Sequence, residues 1–147
     1  MAAVSGRPID VHTWSTPNGW KIPIMLEECG LPYRVVPVNI GRGDQMAPDF
    51  LKIAPNNRIP AIVDKDPADG GAPLSLFESG AILVYLAKRY GNDDWLPQEP
   101  AAAARVQRWL SVAAGPVAFG PAAARLVTVF GASFKRSFTL GMMVMIV

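Results

Sequence analysis

The sequence predicts an α/β domain with a mixed β-sheet at residues 8–91, followed by part of an all-α domain at 101–132. Three observations support this prediction. Short runs of alternating apolar residues in the first segment indicate strands. Apolar residues at steps of three and four in the same segment indicate helices between them. After residue 100 the sequence is alanine-rich and keeps only the helical spacing.

Four strands are predicted in the first domain. A helix joins the first two, which must therefore run parallel, whereas a short turn joins the last two, which must run antiparallel. Pro37 indicates that the second strand lies at an edge of the sheet, and Pro60 opens the third. The predicted strands are Ile9–Trp14, Tyr33–Ile40, Arg58–Asp64 and Leu74–Phe77. A mixed sheet of this order with helices on its faces is the layout of a thioredoxin-like fold.

Two helices accompany these strands. The first follows a turn of polar residues, with Asn18 as its predicted N-cap and Gly30 as its stop. Pro23 fits this helix only if it lies in the first turn, where a missing N–H costs little. The second helix is predicted at Ser79–Tyr90, with Ser79 as its cap and Gly91 after its last residue. Between the second and third strands, residues 50–53 are predicted to form a helical turn at most.

Residues 92–100 have the composition of a linker. In the following segment, Val106, Trp109, Leu110 and Ala113 form one helical stripe. The pairs Gly115-Pro116 and Gly120-Pro121 are expected to bend or split that helix. Residues 133–147 show no clean period. We expect this atypical tail to reflect a cut-short helical domain, as a frameshift or premature stop would produce.

Composition excludes several classes of function. The chain has 14 Lys and Arg against 12 Asp and Glu, and the basic residues are scattered, which disfavours nucleic-acid binding. Its only cysteine, Cys29, permits no internal disulfide and fits a reducing compartment. A membrane span needs about 20 predominantly apolar residues, and Pro, Gly and Arg interrupt the longest weakly charged stretch. We therefore expect a cytoplasmic protein that does not enter the membrane.

Three predicted turns lie at the same edge of such a sheet: Ser15–Asn18, Asn56–Pro60 and Glu78-Ser79. In the first, a hydroxyl and an amide at a helix start can donate to a thiolate and lower its pKa. In the third, a helix N-terminus suits a carboxylate, and the adjacent Glu78 suits an ammonium. The pair matches an α-amino acid head group. Taken singly, each turn is better explained by an ordinary helix cap or strand-opening proline.

Several motifs of this segment occur together in one known family. STPNGWK at 15–21, PNNRIPAIVD at 55–64, PADGG at 67–71 and SLFESGAIL at 75–83 resemble the glutathione S-transferase N-terminal domain. The TPNG turn is similar to the bacterial Nu-class and yeast prion-like nitrogen-regulator branch. The resemblance covers residues 8–91, and a weaker one continues through 105–130, which resembles the first helices of the family's second domain.

The resemblance implies a role for each candidate residue. Thr16 and Asn18 would act at the glutathione sulfur, and Gln45 would contact the glycine end, with Arg58 beside the same site. Ile59, followed by a cis Pro60, would pair its backbone with the cysteinyl residue, and Glu78 with Ser79 would hold the γ-glutamyl head. Glutathione would be the co-substrate, with no metal and with a small electrophile or disulfide as the second substrate. The family also implies a homodimer.

Two alternatives to a glutathione-dependent transferase or disulfide reductase remain. The chain could be a non-catalytic interaction or dimerisation module, or an inactive truncated product. The resemblance implies chemistry that needs no protein cysteine, and Cys29 is predicted to lie in the core, as is Tyr85. His12, inside the first strand, is predicted to be packed rather than catalytic.

Overall fold

The structure is a computed structural model that describes residues 8–91 and 95–114. The chain divides into two units, 1–92 and 93–147. The elements of the first unit are β1 (Ile9–Thr13), α1 (Pro17–Glu28), β2 (Tyr33–Pro37), a 3₁₀ turn (Asp44–Met46), α2 (Pro48–Ile53), β3 (Ala61–Asp64), β4 (Leu74–Phe77) and α3 (Ser79–Tyr90). The second unit contains α4 (Pro100–Ala114).

The four strands form one mixed sheet in the order β2-β1-β3-β4. β1 pairs parallel with β2, and the other two pairings are antiparallel. The predicted thioredoxin-like arrangement and the edge position of the second strand are therefore confirmed. β1 ends at Thr13, one residue earlier than predicted. Two other strands are also shorter than predicted, since β2 ends at Pro37 and β3 begins at Ala61, after Pro60. At both sites a proline without an N–H stands where regular pairing stops.

The two faces of the sheet carry different packing. His12 and Ala61 are paired across β1 and β3, and the ring of His12 contacts Phe50 of α2. Side chains alternate along a strand, so the neighbouring pair Val11 and Ile62 points to the opposite face. Completely buried residues of α1 and α3 complete the core, namely Ile22, Leu26, Ile82 and Leu86. Burial of each such side chain contributes about 1.5–3 kcal/mol.

Helix α1 begins two residues earlier than predicted. Thr16, not Asn18, is the N-cap: its backbone is extended, and its Oγ1 accepts a hydrogen bond from the Gly19 N–H at 3.0 Å. Pro17 explains the difference, because proline favours the first helical position. Asn18 consequently lies inside the first turn, with its side chain not used as a cap.

Pro23 lies in the interior of α1, beyond the first turn that the sequence analysis required. Its missing N–H leaves the Gly19 carbonyl without the usual helical donor. The Thr13 hydroxyl at the end of β1 donates to this carbonyl at 3.0 Å. A Cβ on Gly19 would lie 2.2 Å from the Trp14 carbonyl oxygen, so only glycine permits this close approach of helix and strand.

The start of α3 also differs in detail. Ser79 is its first helical residue and is buried, while Glu78 occupies the cap position with φ 69° and no side-chain cap hydrogen bond. Ser79 was predicted to be the cap, which is wrong by one residue. The predicted helix limits and the stop at Gly91 are confirmed. Residues 48–53 form a six-residue helix rather than a single turn.

Two buried carboxylates hold the sheet to its neighbours at the edge opposite Pro60. The carboxylate of Asp10 on β1 accepts hydrogen bonds from Nε and Nη2 of Arg34 at 2.9 and 2.7 Å, and from Nζ of Lys65 at 3.0 Å. Burial raises the pKa of Asp10, but the hydrogen bonds from these two cations outweigh it, so the pKa lies below its usual value. Strand β1 is thereby tied both to β2 and to the chain after β3.

The second carboxylate, Asp64 on β3, accepts hydrogen bonds from the hydroxyls of Tyr85 and Tyr90 on α3. Burial, followed by the bond to Asp64, raises the pKa of both phenols, that of Tyr90 to about 12. Tyr85 was predicted to be core. It is half-buried, and its hydroxyl donates to this carboxylate.

In the second unit, the carboxylate of Glu99 accepts from the N–H groups of Ala101 and Ala102 and caps α4. Leu110 and Ala113 of the predicted stripe are buried. The predicted continuation to residue 132 and the 133–147 tail lie outside the described residues. Within the described part of the chain, no helix is both long and apolar enough to cross a membrane.

Candidate functional site

The strand register brings the three predicted turns to one edge of the sheet. His12, near the end of β1, pairs with Ala61 at the start of β3. On the other side of β3, the same Ala61 pairs with Phe77, the last residue of β4. The chain segments that follow β1, precede β3 and follow β4 therefore meet at this edge.

A hydrogen bond joins two of these segments directly. The amide nitrogen of Asn56 donates to Glu78 Oε1 at 2.9 Å, across 22 residues of sequence. The next residue, Asn57, has φ 51° and donates its amide to the sulfur of Met46 at 3.3 Å. The loop before β3 is thus connected on one side to the start of α3 and on the other to the 3₁₀ turn. Asn56 was not among the predicted ligand residues.

Glu78 and Ser79 present different groups at the start of α3. Glu78 is exposed, and its positive φ is uncommon for a residue other than glycine. The Asn56 amide holds one of its carboxylate oxygens. Ser79 is buried and opens the helix, whose first N–H groups have no partner within the helix. The start of α3 therefore presents the anionic side chain of Glu78 next to backbone N–H groups that are suited to bind an anion.

Ile59 is anchored by its side chain. It packs against a buried cluster made up of Val38, Phe50, Ala54 and Ala61. Its peptide bond to Pro60 is cis, the form that the family resemblance implies. The side chain is thus fixed in the core while the backbone of Ile59 remains in the loop at the site. Arg58, one residue earlier, has an exposed side chain.

Two amide oxygens near this loop have no hydrogen-bond partner among the described residues. They are Oε1 of Gln45, on the 3₁₀ turn, and Oδ1 of Asn56. Both atoms are buried, and a buried acceptor without a donor costs about 1–3 kcal/mol. A ligand or solvent molecule with N–H or O–H groups would remove that cost. Gln45 was a predicted ligand residue.

The first turn of α1 presents two donors. Thr16 uses an oxygen lone pair to accept from Gly19, which leaves its hydroxyl hydrogen available. Asn18 accepts a hydrogen bond from Lys21 Nζ at its Oδ1, at 2.8 Å, which leaves its amide nitrogen available. Lys21 is half-buried, and burial lowers its pKa. The sequence analysis assigned no role to this lysine.

The other reactive side chains lie elsewhere. Cys29 is the C-cap of α1, a helix of 12 residues and so about 18 Å long, and is half-buried rather than core as predicted. Burial raises the pKa of its thiol, and Glu28 raises it further. His12 packs beside Phe50, as predicted. Within residues 8–91 and 95–114, no group of three or more His, Cys, Asp and Glu side chains is arranged to hold a metal ion.

Comparison with known protein families identifies the family of this chain. The pattern of the glutathione S-transferase N-terminal domain matches residues 16–89. The chain belongs to the glutathione S-transferase family. Disulfide-bond oxidoreductase YfcG of Escherichia coli is 55% identical over 102 residues, covering 69% of this chain and 46% of that protein. Transcriptional regulator URE2 of Saccharomyces cerevisiae is 36% identical over 112 residues, or 71% and 30% of the two chains.

Solved glutathione transferases have the same fold. One from Pseudomonas fluorescens, with two glutathione bound, has a TM-score of 0.68 and 48% identity over 77% of this chain and 48% of its own. One from Pseudomonas putida, with one glutathione disulfide bound per subunit, has a TM-score of 0.70 and 34% identity, covering 91% of this chain and 68% of its own. The chain spans less than half the length of the two curated relatives. The family resemblance carried by the sequence motifs is confirmed.

Proposed function

We propose that this chain binds reduced glutathione at the sheet edge where the three turns meet. There the bound thiolate would reduce disulfides or add to small electrophiles. The observation that carries the proposal is the strand register. It unites the donors of the first turn of α1 with the anionic corner at Glu78. Solved relatives that contain glutathione or its disulfide support the same ligand.

The γ-glutamyl head fits the start of α3. Its ammonium would bind the Glu78 carboxylate, and its carboxylate would accept from Ser79 and the first N–H groups of the helix. Asn56 supports this arrangement twice. Its amide nitrogen holds one oxygen of Glu78, and its unpartnered oxygen is an acceptor for the same ammonium, which has three N–H donors.

The rest of the tripeptide would lie along the loop before β3. The backbone of Ile59 would pair with the cysteinyl residue, as a further extended strand pairs with a free backbone. Gln45 would contact the glycine end, where its unpartnered oxygen suits an amide N–H. Arg58, exposed beside this position, supplies a cation for the terminal carboxylate.

The sulfur would lie at the first turn of α1. Donation from the Thr16 hydroxyl and the Asn18 amide, together with the helix N-terminus, would lower the pKa of the bound thiol. The thiolate would attack one sulfur of a disulfide and displace the other as a thiolate, which takes a proton from solvent. The product is a mixed disulfide of glutathione and substrate. A second glutathione thiolate would then attack the glutathione sulfur of that mixed disulfide, which gives glutathione disulfide and releases the remaining substrate sulfur as a thiolate that also takes a proton from solvent. By family resemblance we also propose a cytoplasmic homodimer.

Replacing Asn18 by alanine tests the catalytic part of this proposal. A hydrogen bond to a charged group contributes about 1.5–3 kcal/mol, so the rate of glutathione-dependent disulfide reduction should fall roughly 10- to 100-fold. Glutathione affinity, set mainly at the other end of the ligand, should change much less. Cys29→Ser serves as a matched control and should keep the parent rate. Equal rates in Asn18→Ala and parent would remove Asn18 from the mechanism.

A non-catalytic interaction module is the second candidate, because a 36% identical relative is named a transcriptional regulator. Fold alone does not distinguish the two functions. A turnover assay beside a calorimetric titration does. Glutathione binding with glutathione-dependent reduction of a disulfide supports the enzyme, whereas binding without turnover, or no binding at all, favours the module.

A further inference from the structure

The contact between Lys21 and Asn18 determines which end of the Asn18 amide faces outward. The two residues are three apart on α1, and Nζ lies 2.8 Å from Oδ1. An ammonium group only donates hydrogen bonds, so it can bind the amide oxygen but not the amide nitrogen. With its oxygen held by Lys21, Asn18 has its NH₂ group free to donate. A side chain without this contact could present either end.

Lys21 adds its charge to a helix end that already favours anions. The N-terminus of a helix carries a partial positive charge that stabilises anions, and the first turn of α1 contains no acidic residue that would oppose it. Lys21 is half-buried, so its charge is screened less by solvent than that of an exposed lysine. A thiolate at this end of α1 would be stabilised by both charges.

We propose that Lys21 is a positioning residue for the glutathione thiolate: it orients the Asn18 amide nitrogen toward the sulfur and adds a positive charge at this helix end. This inference rests on the proposed function. Lys21 need not touch the sulfur, because both effects act through Asn18 and through the electrostatic potential at the start of α1.

Three substitutions separate orientation from charge. Lys21→Met removes both, Lys21→Gln keeps a donor for Asn18 without the charge, and Lys21→Arg keeps both. Lys52→Met is the matched control, since Lys52 also donates to the residue three positions back, Asp49 at 2.7 Å, on the exposed face of α2. The readout is the pKa of the bound glutathione thiol, followed by the ultraviolet absorbance of the thiolate. S-methylglutathione, which has no thiol, measures binding without the thiolate.

In Lys21→Met the thiol pKa should rise by about one unit, a tenfold loss in acid dissociation. The affinity for S-methylglutathione should stay within about twofold of the parent. Lys21→Gln should fall between Met and parent, and Lys21→Arg should restore most of the shift. If Lys21→Met does not fold, Lys21→Gln against Lys21→Arg decides the matter by the same readout.

Several results would overturn the inference. One is an unchanged pKa of the bound glutathione thiol in Lys21→Met. If Lys21→Met does not fold, an unchanged pKa in Lys21→Gln has the same meaning. Another is an equal loss of affinity for glutathione and S-methylglutathione, which is the signature of a purely structural role. A parent chain that binds neither ligand would refute the proposed function itself. If the parent binds glutathione and S-methylglutathione, and the Lys21 variants give the same thiol pKa as the parent, only the role of Lys21 is refuted.

Discussion

Replacing Thr13 by valine should destabilise the first unit by about 1–3 kcal/mol, the cost of a buried carbonyl that loses its donor. Thr13 is 8% exposed, and its hydroxyl donates to the Gly19 carbonyl at 3.0 Å. Pro23 has no N–H with which to replace that bond. Valine is close to threonine in shape, so the packing of β1 against α1 should change little.

A double-mutant cycle with Pro23→Ala isolates this effect. Alanine at position 23 restores the helical N–H that can donate to Gly19. The loss caused by Thr13→Val should therefore be smaller in the Pro23→Ala background, with a coupling of about 1 kcal/mol. Urea unfolding followed by tryptophan fluorescence gives the four free energies. An identical loss in both backgrounds would refute the idea that the hydroxyl substitutes for the missing N–H.

Three further predictions concern titration and binding. The pKa of Asp10 in the folded chain is below its ordinary value of 3.8, so the stability that this carboxylate contributes is complete above pH 3.8 and is lost as the pH falls through the lowered pKa. Asp10→Asn should therefore flatten the acid-unfolding curve. An unchanged curve would contradict this prediction. Burial and the bond to Asp64 raise the pKa of Tyr90 to about 12, so its contribution is complete below the ordinary value of 10.0 and is lost as pH rises toward 12. Tyr90→Phe should reduce that alkaline loss of stability, measured by urea midpoints, and an unchanged alkaline profile would count against it. Asn56→Ala should weaken glutathione binding about tenfold in calorimetry, the value of one charge-assisted hydrogen bond at Glu78; parent-like affinity would show that Asn56 supports nothing.

The sequence pattern predicted the four strands and α3 because each depends on local alternation or helical spacing. It misplaced the cap of α1 because Thr16 and Asn18 are both good cap residues. Pro17 favours Thr16, since proline suits the position directly after the cap. Pro23 could not be interpreted from sequence, because the donor that compensates for it, Thr13, lies on a different element.

In the candidate site, too, local features were predicted and contacts between distant segments were missed. The three turns that form the site were predicted because each contains local signals, and strand pairing brings them together. The Asn56–Glu78 hydrogen bond was missed because it joins loops 22 residues apart and depends on the register of β3 and β4. The Lys21 contact was missed for another reason. A lysine three residues after an asparagine is common on solvated helices, and only its burial distinguishes this one.

The most direct test of the account is a crystal structure of the chain soaked with glutathione. The account predicts the γ-glutamyl head against Glu78 and Ser79, and the sulfur within hydrogen-bond distance of Thr16 or the Asn18 amide nitrogen. Electron density for the tripeptide at another surface, or none at this sheet edge under saturating glutathione, would contradict it.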